Sequence, residues 1–394
     1  MASAERTGEW SAGRPDYALL GLTALLTGIG IVAVWSSSFV IGLVRFDDPH
    51  YYVTRQVIWA TFGAILMFTA MKMDYRKLRP LAFPIMVVAV LMLVAVVTIG
   101  ETVNGAQRWL AVGPLAVQPA EFAKPATIVY VAAWLAGRGD DVRSIWGGLV
   151  PFITIVGVVC VLTMLQPSLG TTAIILVITV TMFWVGGATL LQMATLSTLG
   201  IGAVGAMAVL EGYRLQRLTA FFNAEGDPLG NGFQTLQAMI ALGNGGIGGL
   251  GLGASRGKFF YVPESHTDGV FAIIGEELGV VATVSIIALF VIFMARGYRI
   301  ASRARDPFGF YIATGITTWV IAQALLNAGG ITRVIPLTGV PLPFLSSGGS
   351  ALAAILLAIG ILLSISRHGN DRGGFFDGRP QPSRRDIVRK RRES

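Results

Sequence analysis

The sequence predicts an all-α polytopic membrane protein with ten transmembrane helices. Of its 394 residues, 54% are hydrophobic and only 13% are charged, whereas an ordinary soluble domain carries about 25% charged residues. A chain of this composition cannot cover a water-exposed surface with polar groups. It is therefore not expected to be a soluble cytosolic enzyme, a disordered protein or a nucleic-acid-binding protein. A bilayer core about 30 Å thick needs about 20 apolar residues per helix, and ten segments of this kind follow one another along the chain.

The spans are separated by charges, prolines and glycines. The 28 residues between Asp16 and Arg45 are uncharged, which is too long for the core of a cleaved signal peptide. The 67 residues from Ser144 to Leu210 are also uncharged, and breaks at 166–167 and 186–187 divide them into three helices. All spans must be helical, because lipid offers the backbone no hydrogen-bond partners. We place them at residues 17–43, 53–71, 81–99, 117–136, 145–165, 169–186, 188–210, 270–295, 309–331 and 348–366.

The distribution of Lys and Arg predicts that both termini are cytoplasmic. Segments on the inner side then hold 21 of the 30 basic residues, as the positive-inside rule requires. The net charge of +8 is explained by cytoplasmic segments held against anionic lipid, so no nucleic-acid partner is expected. The chain divides into an N-terminal segment (1–16), a membrane domain (17–366) with an outer loop at 211–269, and a basic disordered tail (367–394).

Metal and dinucleotide sites are not predicted. The single cysteine, Cys160, lies in an apolar run, and the three histidines are dispersed along the chain. The segment Gly243–Gly248 matches G-x-G-x-x-G, but no strand precedes it and no βαβ unit surrounds it. We expect its glycines to allow either close backbone approach or bending of the chain in a re-entrant loop.

The first candidate site is formed by polar residues near the fourth span. Glu121 and Lys124 are three residues apart, on one face of a helix, and can form an ion pair. One interpretation is a structural pair at the helix end. The other is that Lys124 and Arg108 face an anionic ligand from the outer leaflet, since charges beside spans are costly and are often functional.

The second candidate site is a group of cations in the outer loop. Arg214, Arg217, Arg256 and Lys258 lie outside, against the overall bias of the basic residues. Arginine and lysine are well suited to binding phosphate groups. The alternative is a solvated loop surface with no ligand.

The third candidate site is the segment that leads into the eighth span. Asp268 and Glu264 lie near the outer membrane surface, where a carboxylate can act as a general base. Nearby cations such as Arg256 and Lys258 would keep it ionised. The alternative is that these carboxylates cap the helix or pin the loop. His266 between them is either a ligand contact or a hydrogen-bonding loop residue.

Several long motifs occur in one order on this ten-span frame. They are NGAQRWL (104–110), QPAEFAK (118–124), QPSLGT (166–171), VPESHTD (262–268), GEELG (275–279) and PLTGVPLPFLSSGGS (336–350). The chain from about Val34 to Ser366 therefore resembles the SEDS family of shape, elongation, division and sporulation proteins, which includes FtsW, RodA and SpoVE. The segment before Pro263 is spaced as in the FtsW branch rather than the RodA branch.

The resemblance implies a peptidoglycan glycosyltransferase of the bacterial cytoplasmic membrane that polymerises lipid II into glycan strands. It implies that Asp268 is the essential catalytic residue and that Arg108, Glu121 and Lys124 line the substrate cavity. The implied partners are a class B penicillin-binding protein and other divisome or elongasome membrane proteins. Gly269 stands where the family usually has an aromatic residue, which we expect to leave Asp268 more exposed.

The expected reaction joins two membrane-anchored substrates. The 4-hydroxyl of incoming lipid II attacks the anomeric carbon of the growing strand, and Asp268 takes its proton. The leaving undecaprenyl pyrophosphate needs preplaced positive charge. Arginine and lysine side chains of the protein, or a divalent cation such as Mg²⁺ or Mn²⁺, would supply this charge. Two other functions suit ten spans equally: a lipid II flippase or transporter, and a non-catalytic division scaffold.

Overall fold

The computed structural model describes residues 13–103, 106–112, 115–210, 221–223 and 232–369. These residues form a helical bundle and one small sheet. The helices are α1 (Tyr17–Phe46), α2 (Tyr51–Lys72), α3 (Leu78–Ile99), α4 (Pro119–Arg138), α5 (Val150–Leu165), α6 (Leu169–Val185), α7 (Leu190–Leu210), α8 (Phe233–Gly245), α9 (Val270–Ser302), α10 (Pro307–Ile331) and α11 (Gly349–Arg367). The strands are β1 (Glu101–Val103), β2 (Ala106–Val112) and β3 (Leu115–Val117).

The predicted fold class is confirmed. A helix lies at each of the ten predicted spans, namely α1 to α7 and α9 to α11. Seven helical segments of the described chain are long and apolar enough to cross a membrane, and α6 is apolar but shorter. The exact count of ten spans therefore stays a prediction. Helix α9 continues to Ser302, seven residues past the predicted end of its span, and α8 lies inside the predicted outer loop.

Aspartates at the predicted cytoplasmic ends start two of the helices. The Asp16 Oδ1 atom accepts from the Leu19 amide at 2.9 Å, and Asp306 Oδ1 accepts from the Gly309 amide at 3.0 Å. Each bond satisfies an amide that has no partner within its own helix. Asp16 also forms an ion pair with Arg296 at 2.7 Å, which ties the start of α1 to α9.

The core of the bundle is built around α10 and α11. In their most apolar stretches 78% and 83% of the residues are buried, against 28% for α2. Helix α11 packs chiefly on α2, and α10 packs on α9, α4 and α6. Residues carried by α10 are therefore placed to contact side chains from several other helices.

A small antiparallel sheet precedes α4 and was not predicted from the sequence. Its strands pair in the order β1-β2-β3, with Leu110 opposite Val117 in the second pair. Because α3 ends at Ile99 and α4 begins at Pro119, the sheet lies between the ends of two adjacent helices. This position brings Arg108, on β2, next to the turn between α5 and α6.

Helix α9 is broken at Gly279, whose φ of 76° is unfavourable for residues with a side chain. The break exposes backbone groups that would otherwise pair within the helix. The glycine-rich segment 246–251 pairs with them in both directions: Leu250 and Gly251 amides donate to Glu276 and Glu277 carbonyls, and Val280 and Val281 amides donate to Gly246 and Ile247 carbonyls.

The close approach predicted for the glycines of residues 243–248 is confirmed at Gly245, and Gly279 of α9, which was not part of that prediction, shows a similar approach. A Cβ atom on Gly279 would lie 2.3 Å from the Ile247 carbonyl oxygen, and one on Gly245 would lie 1.9 Å from the Gly275 carbonyl oxygen. Any side chain would push the glycine-rich segment away from α9. The segment folds against the helix because these positions lack one.

Candidate functional site

Asp268 lies on a short loop directly before α9, whose first residue is Val270. Its side chain is buried, with 8% of the residue exposed. The carboxylate accepts from the Gln234 side-chain amide of α8 at 3.4 Å, and the Thr267 hydroxyl oxygen lies 3.4 Å from its other oxygen. The start of a helix carries partial positive charge, which favours an anionic group at this position.

The Asp268 loop is attached to the bundle core through its backbone. The Asn327 side-chain amide on α10 donates to the Asp268 carbonyl at 2.8 Å. The Ser347 backbone amide donates to the His266 carbonyl at 2.8 Å. Two carbonyls of the loop are thus fixed from two different parts of the chain, and the loop's position is set by the core.

Glu264 and Gly269 shape the same loop. Glu264 is exposed and has a φ of 49°, and its carboxylate accepts from the Thr267 hydroxyl at 3.1 Å. The Gly269 amide donates to the Glu264 carbonyl, and a Cβ atom on Gly269 would lie 3.0 Å from that oxygen. Gly269, which stands where the family usually has an aromatic residue, therefore leaves no open space beside the loop. Asp268 is buried, whereas we had expected it to be more exposed.

His266 is buried against Tyr52 of α2, with 4.4 Å between the ring centroids. Burial of the imidazole lowers the pKa of His266 from its ordinary value, more than the nearby Glu264 carboxylate raises it. The neutral form is therefore favoured at pH 7. This neutrality argues against His266 as a source of positive charge for a pyrophosphate.

Glu121 and Lys124 form the predicted ion pair, at 2.8 Å. Both side chains are almost completely buried, with 4% and 1% exposed. The Lys124 ammonium also donates to the Gln323 side-chain oxygen at 3.3 Å and lies 4.9 Å from the centre of the Trp319 ring. Gln323 and Trp319 of α10 thus hold the pair inside the bundle. These contacts favour the first interpretation, in which the pair has a structural role.

Arg108 contacts the turn between α5 and α6. Its Nε atom donates to the Gln166 carbonyl at 2.9 Å, and its Nη2 atom donates to the Pro167 carbonyl. Two consecutive carbonyls at the end of α5 are therefore bound by one guanidinium. These contacts favour an anchoring role, in which Arg108 joins the small sheet to the turn.

The resemblance described above implies polymerisation of lipid II. Replacing Arg108 by alanine is expected to lower both this activity and the thermal unfolding temperature, because two carbonyls lose a charged donor. We expect about a tenfold fall in rate, and Arg108→Lys should recover only part of it because lysine lacks the planar fork. Arg303→Ala, at an exposed position near the end of α9, is the control. A variant with unchanged unfolding temperature and a KM for lipid II raised more than tenfold would contradict anchoring and indicate substrate binding.

Lys258 was expected to be one of the cations that bind the pyrophosphate. Its side chain is instead buried against α9. The ammonium forms a buried ion pair with Glu277 at 3.0 Å and donates to the Gly253 carbonyl at 2.5 Å. Ser36 of α1 donates to the same carboxylate at 2.7 Å, and Ser255 donates to the neighbouring Glu276 at 2.5 Å. Lys258 therefore joins the backbone at Gly253 to the broken helix α9, and we do not propose it as a substrate-binding residue.

Of the other cations predicted in the outer loop, only Arg256 lies within the residues that the structure describes. Arg256 is exposed, and its backbone amide donates to Glu276 at 3.3 Å. Arg214 and Arg217 lie outside the described residues. Within the described ranges no three His, Cys, Asp or Glu side chains are grouped so that they could hold a metal ion. The described His, Cys, Asp and Glu side chains therefore do not form a dedicated site for a divalent cation. We assign no reaction step to a metal.

Sequence reasoning missed three amides that contact the predicted residues: Gln234, Gln323 and Asn327. The last two carry a recognisable signal, because they lie one helical turn apart within a span that has no charged residue. Polar side chains inside spans are costly and usually face the bundle interior. Gln234 lies in a segment that the sequence did not distinguish from the rest of the outer loop.

The fold and this site define a polytopic helical membrane protein with a buried carboxylate at the start of a broken helix. Residues 17–371 match the family profile described as "Cell cycle protein", which covers FtsW, RodA and SpoVE. The chain belongs to this family.

Similar proteins cover most of the chain. It is 39% identical to stage V sporulation protein E of Bacillus subtilis, over 90% of this chain and 97% of that protein. It is 38% identical to a probable peptidoglycan glycosyltransferase FtsW of Trichlorobacter lovleyi, over 89% of this chain and 93% of that protein.

Solved structures resemble the fold over nearly its full length. A chain from a peptidoglycan synthase complex, described as coordinating polymerisation and crosslinking, superposes with a TM-score of 0.73 at 27% identity and covers 91% of this chain and 99% of its own length. The rod shape determining protein RodA of Thermus thermophilus superposes with a TM-score of 0.66 at 25% identity, covering 90% and 97%.

Proposed function

We propose that this chain is a peptidoglycan glycosyltransferase that polymerises lipid II, with Asp268 as its general base. The observation that carries the proposal is the position of Asp268 before α9, in a loop fixed to the core by Asn327 and Ser347. A base must be held within hydrogen-bond reach of the proton that it removes. Membership of the family and the names of the similar proteins support the reaction class.

In the proposed reaction, the Asp268 carboxylate removes the proton from the 4-hydroxyl of incoming lipid II. The hydroxyl oxygen forms a bond to the anomeric carbon of the growing strand. The bond from that carbon to the pyrophosphate oxygen breaks, and undecaprenyl pyrophosphate leaves with the bonding electrons. Burial of Asp268 strengthens its electrostatic interactions at the reacting atoms.

The charge on the leaving pyrophosphate must be balanced by cations near Asp268. Arg256, Arg214 and Arg217 remain in the proposed set, since Lys258 and Lys124 form buried ion pairs. Glu264 and His266 lie on the Asp268 loop and are proposed to contact the sugar. Glu121 and Arg108 are proposed to shape the cavity through the contacts described above.

The decisive experiment is polymerisation of fluorescently labelled lipid II by the purified protein, read as glycan polymer on a gel. It is run with and without a class B penicillin-binding protein, which we propose as the crosslinking partner. Polymer made by the parent protein supports the glycosyltransferase. Transport of lipid II across vesicles without any polymer would favour a flippase, and neither activity would favour a scaffold.

We further propose that the chain spans the bacterial cytoplasmic membrane with both termini in the cytoplasm, so that Asp268 meets lipid II at the outer face. The supporting observation is the excess of Lys and Arg in the segments assigned to the inner side. The basic tail 367–394 would then lie against anionic lipid on that side.

Cysteine labelling tests this orientation. In a Cys160→Ala background, Ala254→Cys should react with a membrane-impermeant maleimide in intact spheroplasts, because position 254 is exposed and is assigned to the outer side. Arg303→Cys, exposed near the end of α9, should react only after permeabilisation. The reverse pattern would overturn the orientation.

A further inference from the structure

We infer that Gln323 and Asn327 of α10 are positioning residues that hold Asp268 in register with the buried Glu121–Lys124 pair. The inference rests on the proposed role of Asp268 as the base. It concerns two side chains that do not themselves meet the reacting atoms. They act through a segment of backbone, Val340–Pro341, that both of them contact.

Gln323 connects the ion pair to this segment. Its side-chain oxygen accepts from the Trp319 indole at 2.8 Å and from the Lys124 ammonium at 3.3 Å. Its amide nitrogen donates to the Pro341 carbonyl at 2.9 Å. Gln323 is completely buried, so each of these bonds is formed away from bulk water and its loss cannot be compensated there.

Asn327 connects the same segment to Asp268. Its amide nitrogen donates to the Val340 carbonyl and to the Asp268 carbonyl, both at 2.8 Å. Two carbonyl oxygens can be satisfied only by the nitrogen end of the amide, so the orientation of this side chain is determined. Both hydrogens of one NH₂ group are used, one for each backbone segment.

The two amides therefore bind consecutive carbonyls from one helix face. Residues 323 and 327 are four apart, which places their side chains one above the other on α10. The chain of contacts runs from Lys124 through Gln323 to Pro341, and from Val340 through Asn327 to Asp268. Because both amides lie on one mostly buried helix, this arrangement sets the distance between the ion pair and the loop that carries the base.

Loss of such a contact should misplace the base without removing it. A shift of about 1 Å at a reacting group can cost about 10²-fold in rate. We therefore expect Asn327→Leu, which keeps the size of the side chain, to lower kcat about 10²-fold and to change the KM for lipid II less than about threefold. Gln323→Met, which acts one step further from Asp268, should lower kcat by about tenfold.

The chain offers a matched control in Gln192. Gln192 is buried like Gln323. Its side-chain amide donates to two carbonyls, as that of Asn327 does, namely those of Val142 at 3.0 Å and Ser144 at 3.1 Å. It lies near the start of α7, in the part of the bundle assigned to the cytoplasmic side. Gln192→Met should lower the unfolding temperature by an amount similar to Gln323→Met and leave kcat unchanged.

The experiment measures initial rates of labelled lipid II polymerisation by the full-length protein with its partner, together with thermal unfolding, for all variants. If Asn327→Leu does not fold, Asn327→Ser replaces it: one hydroxyl can serve one carbonyl, and an intermediate kcat is expected. The inference is overturned if folded Asn327→Leu or Asn327→Ser keeps the parent kcat. It is also overturned if Gln192→Met loses kcat to the same extent, because the effect would then be one of general stability.

Asp268→Asn in the same series separates this inference from the proposed function. If Asp268→Asn is inactive while Asn327→Leu keeps its kcat, the positioning role alone fails. If Asp268→Asn polymerises lipid II at the parent rate, the assignment of the base fails, and the positioning role fails with it.

Discussion

Asp268→Asn is expected to fold, to bind lipid II and the partner protein, and to make almost no glycan polymer. The change keeps the shape of the side chain and removes the group that accepts the proton. A general base typically contributes about 10²–10⁴-fold to the rate, and we expect a loss in this range. Asp268→Glu should recover little, because an added methylene moves the carboxylate relative to the hydroxyl that it must deprotonate.

The matched control is Glu264→Gln, four residues earlier in the same loop. It removes an exposed carboxylate whose described contact is the Thr267 hydroxyl, and we expect a much smaller loss of rate. Binding of labelled lipid II and thermal unfolding are measured for each variant. Near-parent polymerisation by Asp268→Asn would show that the base is another group, and Glu264 would be the next carboxylate to test.

Breaking the Lys258–Glu277 pair is expected to produce the largest loss of stability. Lys258→Met leaves a buried carboxylate without its cation, which typically costs about 3–5 kcal/mol in the free energy of unfolding. The double variant Lys258→Met with Glu277→Leu removes both charges, and we expect it to be more stable than Lys258→Met alone. Thermal unfolding in detergent, followed by loss of the monodisperse peak, measures the order of the variants.

Arg296→Met is the control for this prediction. It breaks the Asp16–Arg296 pair, in which the arginine side chain is 32% exposed, and we expect this partly exposed pair to contribute less than the buried one. If Lys258→Met were no less stable than Arg296→Met, the buried pair would not hold the backbone at Gly253 against α9. The double variant Lys258→Met with Glu277→Leu also changes the volumes of the buried side chains. If it is more stable than Lys258→Met alone, the loss of stability comes from the unpaired charge and not from the change in volume.

The sequence was sufficient for the helical frame because long apolar runs dictate helices in lipid. It also placed Glu121 and Lys124 on one helix face, where the structure has them in contact. It could not locate the side chain of Lys258, because its partner Glu277 lies 19 residues further along the chain, and the pair forms only when the chain before α9 folds back against that helix.

The small sheet was missed for a related reason. Strands of three to seven residues between two spans have too few residues to show alternation of polar and apolar side chains. The role of Arg108 followed from the sheet, since its guanidinium reaches the Gln166 and Pro167 carbonyls only from β2. From the sequence alone, the same arginine was expected to face an anionic ligand from the outer leaflet.

The break in α9 has a consequence for how the protein enters the membrane. The backbone groups that Gly279 leaves unpaired are satisfied by residues 246–251, and an unsatisfied group in hydrocarbon costs several kcal/mol. We therefore expect that the two halves of α9 enter the membrane together with residues 246–251, which are made earlier during translation. Until that segment is in place, the backbone groups at the break would lack their partners.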